Sequence, residues 1–348
     1  MINKQLITWL CLFATLLTLI VVTLGAYVRL SNAGLGCPDW PGCYGHLIVP
    51  EETHEITTAN SAYPDRPIEG HKAWKEMIHR YVASTLGLLI MLIALIAVQR
   101  RQKVKEQSVT LPVFLVFLVI FQALLGMWTV TLLLKPIVVT AHLLGGMLTL
   151  SLLWWLTLRQ SGWFLVTSKW SIRDGGRAGA VERLRPSAML TLLVVFIQIF
   201  LGGWTSANYA ALACTDFPTC YGQWWPEGMD FTEAFILWRG IGVNYEYGVL
   251  SAEARTAIHV IHRVGALITF LLVIRLGLQV LFASLNASSI KMIAAFMLLF
   301  LLLQIGLGIS NVVYSLPLSV AVTHNMVAAL LLMTVVALNH ALRPLVHL

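Results

Sequence analysis

Of 348 residues, 58% are hydrophobic and 11% charged, a balance that a water-soluble domain cannot present without aggregating. The formal net charge of +7 would suit a nucleic-acid partner. The basic residues, however, are spread over short connections between apolar runs, where membrane topology accounts for them, and no nucleic acid is expected.

A bilayer-spanning helix needs roughly 20 apolar residues, because the hydrocarbon offers its backbone no hydrogen-bond partner. Eight runs meet that length, near 9–29, 77–98, 110–131, 137–158, 187–206, 257–281, 291–311 and 317–340. The first has no charge between Lys4 and Arg29, is too long for a signal-peptide core and lacks a small-residue cleavage site, so it reads as a retained span. Lys and Arg resist translocation and mark the cytoplasmic side. Arg100, Arg101, Lys103 and Lys105 follow the second span, Arg159, Lys169, Arg173, Arg177, Arg183 and Arg185 lie between the fourth and fifth, and Lys291 follows the sixth. The long segments 30–76 and 207–256 are instead acid-rich, with Asp39, Glu51, Glu52, Glu55, Asp65 and Glu69 in one and Asp216, Glu227, Asp230, Glu233, Glu246 and Glu253 in the other. An all-α integral membrane protein is expected, with both termini cytoplasmic and both long loops external.

The chain repeats itself. Gly36-Cys37-Pro38-Asp39-Trp40-Pro41-Gly42-Cys43-Tyr44-Gly45 recurs as Ala213-Cys214-Thr215-Asp216-Phe217-Pro218-Thr219-Cys220-Tyr221-Gly222. Ile78-His79-Arg80 returns as Ile261-His262-Arg263, Gln122 with Gly126 as Gln304 with Gly308, and His142 as His324. The offsets are 177 residues at the cysteines, 183 at the first histidine and 182 at the later landmarks. Two tandem homologous four-helix bundles are therefore predicted, 1–180 and 181–348. An even number of spans in each makes them parallel repeats about an axis along the membrane normal. The segment 159–186, with Gly175, Gly176 and Gly179, reads as their linker.

Cys37 with Cys43, and Cys214 with Cys220, fall in external loops where an oxidising compartment favours two short disulfides. A metal site is the competing reading, but the six-residue spacing lacks a close Cys-x-x-Cys pair. If exposed, such disulfides are labile, which leaves open a role in passing reducing equivalents. Cys11, inside the first span, reads as packing.

His46, His54 and His71 lie in a polar loop, and His340 and His347 at the cytoplasmic end. His79, His142, His262 and His324 sit inside spans that otherwise exclude ionisable groups, at repeat-equivalent positions, which marks them as functional. Counted from the predicted starts, they lie 2–8 residues into their helices, about 3–12 Å along the axis. All four fall on the external side. The pair in each half can then face one another at similar depth, as the two axial positions of six-coordinate haem iron require. Zinc also accepts imidazole, but two ligands per half fall short of a zinc site. Arg80 and Arg263 are suited to haem propionates, with snorkelling to the interface as the alternative. Position 76 breaks the symmetry. Glu76 precedes His79 by three residues on one helix face, whereas the matching residue before His262 is His259. A carboxylate there can hold a proton, stabilise developing positive charge or orient water. Alternatively, Glu76 simply begins its helix and complements the macrodipole.

Glu76-x-x-His79, His142, Ile261-His262-Arg263, His324 and the paired loop cysteines resemble the haem A synthase family over essentially the whole chain. The resemblance implies an oxidoreductase of the inner membrane that converts a ring methyl of haem O to a formyl group by successive hydroxylation and loss of water. It implies haem O between His79 and His142 with Glu76 assisting, and a cofactor haem b held by His262 and His324. Haem O synthase, terminal-oxidase assembly factors, membrane lipid and an unnamed electron partner are the implied associates. The second external loop carries Trp224, Trp225 and Trp238, which would cover a haem edge or dock at the membrane surface. A dihaem electron carrier of the cytochrome b type is the main rival. A transporter ranks below both, for want of a repeated Gly/Pro break in a helix pair.

Overall fold

The computed structural model describes residues 4–102, 104, 107–164, 175–283 and 288–343. Lys103, Lys105, Lys169, Arg173 and His347 lie outside the described residues. In chain order the helices are α1 (Lys4–Leu30), α2 (Thr53–Ala62), α3 (Gly70–Arg101), α4 (Thr110–Thr131), α5 (Pro136–Ser161), α6 (Gly175–Ala207), α7 (Phe231–Ala234), α8 (Ala252–Phe282), α9 (Ser288–Val313) and α10 (Leu318–Ala341). All but α2 and α7 are long and apolar enough to cross a membrane. Among the described residues the only β pairing is two isolated bridges, Cys43 with His46 and Cys220 with Gln223.

Local chemistry sets several of the ends. Pro136 opens α5 at a position where its missing N–H is no loss, and Gly162, at φ 73°, closes it in the left-handed region. Ser251 caps α8 by accepting the Ala254 N–H at 3.1 Å. α2 begins on a reciprocal capping box between Glu52 and Glu55.

Several starts, that of α1 at Lys4 among them, precede the apolar runs by five residues or more. α3 and α8 begin at Gly70 and Ala252 rather than 77 and 257, because their first turns are polar yet helical. α6 begins at Gly175, so Gly175, Gly176 and Gly179 belong to a helix and not to a linker that continues to 186. The histidine depths change accordingly. His79 lies nine residues after Gly70 and His262 ten after Ala252, while His142 and His324 each lie six after their helix starts.

α1, α3, α4 and α5 pack together, as do α6, α8, α9 and α10, and the groups meet where α5 touches α6 and α10 and where α1 touches α10. Apolar side chains such as Trp9, Leu88, Phe117 and Leu302 point outward, as lipid-facing surfaces require. The buried apolar residues separate by depth. Cys37, Tyr44, Ala73 and Met77 form one outer cluster, and Trp204, Ala254 and Ile258 another. Cys11, Ile90, Leu115 and Leu153 lie deeper in the first group, while Met147, Val273, Met297 and Leu332 form the core between the groups and within the second.

Candidate functional site

Between the outer clusters and the deeper core, the ligand helices are only partly packed. No residue is fully buried on α3 between Met77 and Leu86, on α5 between Thr140 and Met147, on α8 between Val260 and Thr269, or on α10 between Ala321 and Val327. The four intramembrane histidines all fall in these intervals. His79 and His142 are electrostatic neighbours, as are His262 and His324, so each helix group holds one pair.

Each ring faces a glycine on an adjacent helix. A Cβ added at Gly25 would lie 3.1 Å from His79 Cε1, at Gly126 3.5 Å from His142, at Gly202 3.3 Å from His262 and at Gly308 3.2 Å from His324. Larger residues there would push on the rings. His79, His142 and His324 each have a buried Nδ1 without a hydrogen-bond partner among the described residues. Partly packed intervals, unpartnered imidazole nitrogens and glycine-lined approaches fit a flat apolar tetrapyrrole held by two imidazoles. Among the described residues no group of three or more His, Cys, Asp or Glu is placed to hold a metal ion, so two imidazoles per site are what the chain offers.

Above each pair sits a cysteine loop. Cys37–Cys43 and Cys214–Cys220 are disulfide-bonded, and all four cysteines are buried. They are thus not the exposed bonds that would leave a labile redox role open. Asp39 accepts the N–H groups of Tyr44 (2.6 Å) and Gly45 (2.7 Å), and Asp216 accepts those of Tyr221 (2.7 Å) and Gly222 (3.0 Å). The tyrosines and glycines that follow the second cysteines have positive φ, with Gly45 at 81° and Gly222 at 72°, a bend that glycine makes without strain. The Thr219 hydroxyl, then the Gly222 and Tyr221 amides, hold the Asp216 carboxyl down to about 2.

Position 76 belongs to this loop architecture. Glu76 Oε2 accepts the Cys37 N–H at 3.0 Å and Oε1 pairs with Arg80 Nη2 at 2.5 Å. Arg80 also donates to the carbonyls of Asp39 (3.0 Å) and Pro41 (3.2 Å). In the other group the Cys214 N–H donates to His259 Nδ1 at 3.1 Å, Arg263 Nε stands 3.3 Å from His259 Nε2, and Arg263 donates to Thr219 O (2.8 Å) and Cys214 O (3.2 Å). The contacts correspond but their chemistry does not. A carboxylate accepts from both donors, whereas a neutral imidazole accepting at Nδ1 carries its proton on Nε2. Glu76 is also six residues into α3 and buried, so the helix-start alternative does not hold.

Sequence reasoning missed Gly25, Gly202 and Gln198. The two glycines repeat at the cysteine offset and were detectable. Gln198, whose Nε2 is 3.1 Å from His262 Nδ1, has no repeated counterpart. His340 is fully buried at the far end of α10, edge-to-face on Trp155, and Cys11 is a buried free thiol. Trp224, Trp225 and Trp238 remain exposed. Trp225 stacks on Phe231, and Trp238 lies 3.5 Å from Lys135 Nζ at the α4–α5 turn.

Eight spanning-length helices, with a pair of histidines in each helix group, define a polytopic membrane protein. The chain belongs to the COX15-CtaA family of cytochrome oxidase assembly proteins, whose pattern it matches over residues 8–336. It is 48% identical to the haem A synthase of Shewanella oneidensis over 97% of this chain and 96% of that one. It is 26% identical to the haem A synthase of Shouchella clausii over 90% and 89% of the two chains, and 26% identical to that of Caulobacter vibrioides over 95% and 94%.

Proposed function

We propose that this protein is a haem A synthase, converting a ring methyl of haem O to the formyl group of haem A through hydroxylation and loss of water. The observation that carries the reading is the asymmetry at positions 76 and 259 beside two otherwise matching histidine pairs. An electron carrier has no need of a buried carboxylate at one site alone. The near full-length likeness to haem A synthases supports it.

In this reading the two helix groups are duplicates with separate tasks. His79 and His142 bracket the substrate haem, and His262 and His324 hold haem b. When bound, the haems supply the iron-centred redox chemistry. The protein binds and orients them. The glycines opposite the histidines let the rings stand at the interior, and the apolar helix faces exclude water. Arg80 and Arg263, tied to loop carbonyls, place positive charge beside the propionate edges. Glu76, one turn from His79, holds or releases a proton at Oε1 or Oε2 and stabilises positive charge developing on the substrate. An apolar cleft of about 530 Å³ between α5 and α6, lined by Leu144, Gly145, Leu148, Phe196, Ile197 and Phe200, begins within a turn of His142 along α5 and suits an apolar substituent. By the distribution of basic residues the termini face the cytoplasm of an inner membrane and the cysteine loops face outward.

The test is to purify the protein from membranes that make haem O and identify its extracted haems by mass, with Glu76→Ala and His262→Ala alongside. Haem b together with haem O, a hydroxylated intermediate or haem A, and loss of formyl product in Glu76→Ala, is the expected result. Recovery of haem b alone despite available haem O would establish the dihaem carrier instead.

A further inference from the structure

We propose that Gln198 is a positioning residue for His262, fixing which ring nitrogen faces the haem iron and lowering the reduction potential of the C-terminal haem; this rests on the haem reading above. Gln198, on α6, places Nε2 3.1 Å from His262 Nδ1 and 3.1 Å from the His262 carbonyl oxygen. Its own Oε1 is buried and has no partner among the described residues. As placed, the amide donates to Nδ1 and the ring proton sits on Nε2, the tautomer of an unligated histidine; ligation through Nε2 moves that proton to Nδ1.

A glycine makes the contact possible. Gly265 follows His262 by three residues, and a Cβ there would stand 2.3 Å from Gln198 Oε1, so a side chain at that position would push the amide aside. The first helix group lacks both members. At the offset that relates Gly25 to Gly202 the counterpart of Gln198 is Val21, and at the offset that relates His79 to His262 the counterpart of Gly265 is Val82. His79 Nδ1 accordingly has no partner among the described residues. A comparable amide–glycine unit does occur in the first group, but against the other ligand. A Cβ at Gly145, three residues after His142, would stand 1.7 Å from Gln122 Nε2. The positions three residues after His79 and His324 are Val82 and Val327. In the second group Gln304, the repeat partner of Gln122, stands with Nε2 3.1 Å from His324 Nε2, so a glutamine at the later ligand is common to both groups and the Gln198 contact with His262 is what the second group adds.

A metal-bound imidazole that gives Nε2 to iron carries its proton on Nδ1. An acceptor for that proton fixes the ring plane and strengthens the imidazole as a donor. The otherwise unpartnered Oε1 becomes that acceptor when the amide turns over, a change that gives up the Nε2 bond to the His262 carbonyl. A stronger donor favours the ferric state, so removing the acceptor raises the potential.

The test is a spectroelectrochemical titration of the full-length, haem-loaded protein, comparing wild type with Gln198→Leu and Gln198→Glu, with His262→Ala identifying the C-terminal haem. Gln198→Leu should raise the potential of that haem by a tenfold change in its redox equilibrium, about 59 mV for one electron, and leave the other in place. Gln198→Glu, a stronger acceptor, should lower it. The proposal is overturned if Gln198→Leu leaves both potentials unchanged or moves them together. Should Gln198→Leu lose its C-terminal haem, an unchanged or raised potential in Gln198→Glu overturns it. Mass identification of the wild-type haems stands apart: a potential shift in a protein carrying only haem b would keep this inference and sink the synthase reading.

Discussion

Glu76 joins two roles that a substitution can separate. Its side chain is 6% exposed and that of Arg80 12%, so removing the carboxylate leaves a guanidinium buried without its counter-ion. Breaking such a pair costs about 3–5 kcal/mol, and Glu76→Ala should unfold at correspondingly lower denaturant. Glu76→His copies the residue that already holds the second loop through Cys214 N–H. It should retain both haems and most of the stability while making no formyl product, as haem extraction and mass would show. Formyl product from Glu76→His would remove the carboxylate from the chemistry. Asp216 gives a pH test of the loop. Its carboxyl sits near 2 against a usual 3.8, so its contribution is fully present above 3.8 and is lost as pH falls toward 2. Hydrogen exchange at the Tyr221 and Gly222 amides should therefore accelerate over that interval beyond its ordinary pH dependence. In Asp216→Asn that extra acceleration should vanish, and its persistence there would assign it to another group.

Among the elements, the glycine faces of α1, α4, α6 and α9 decide how close each helix comes to a histidine. Gly308→Leu should drive a branched side chain into His324 and deplete the C-terminal haem alone, while Gly25→Leu should do the same to the N-terminal haem. Haem-to-protein ratio with mass identification reads both, and loss of both haems from either variant would refute independent sites. Much of this scale was legible in the sequence. The apolar runs located all eight long helices, because hydrocarbon solubility is a local property of composition, and the predicted 110–131 coincides with α4. The polar first turns of α3 and α8, the short helices α2 and α7, and the glycine-bearing start of α6 escaped, since none of them carries the apolar run by which the spans were found. The histidines announced themselves as costly polar groups repeated in register. Gln198 did not, because a single glutamine in a span acquires meaning only from the ring it meets.

The whole molecule depends on how its two helix groups are fastened together. At depth, the seam of α5 with α6 and α10 is apolar, with Trp154 Nε1 donating to Met333 O at 3.0 Å. At the end bearing the cysteine loops it is polar. Tyr245 N–H donates to Leu133 O at 3.0 Å, and Arg29 of α1 donates to Ser206 O near the end of α6 at 2.6 Å. Arg29 lies 4.0 Å from the centre of the Tyr209 ring. The carbonyls at a helix C-terminus lack intrahelical partners and carry partial negative charge, so a guanidinium is well matched to them. At the repeat offset, the residue matching Arg29 is Ser206 itself, so the bond is made once and not twice. Arg29→Leu removes a hydrogen bond to a charged donor, about 1.5–3 kcal/mol, and leaves the Ser206 carbonyl with only the Tyr209 N–H, while sparing every histidine. Chemical denaturation in detergent should show that loss with both haems still bound in the native state. An unchanged midpoint would mean that the Arg29 contact does not help to join the groups. Early release of one haem would mean instead that the Arg29 contact also sets the geometry of a histidine pair, which the separate glycine faces argue against.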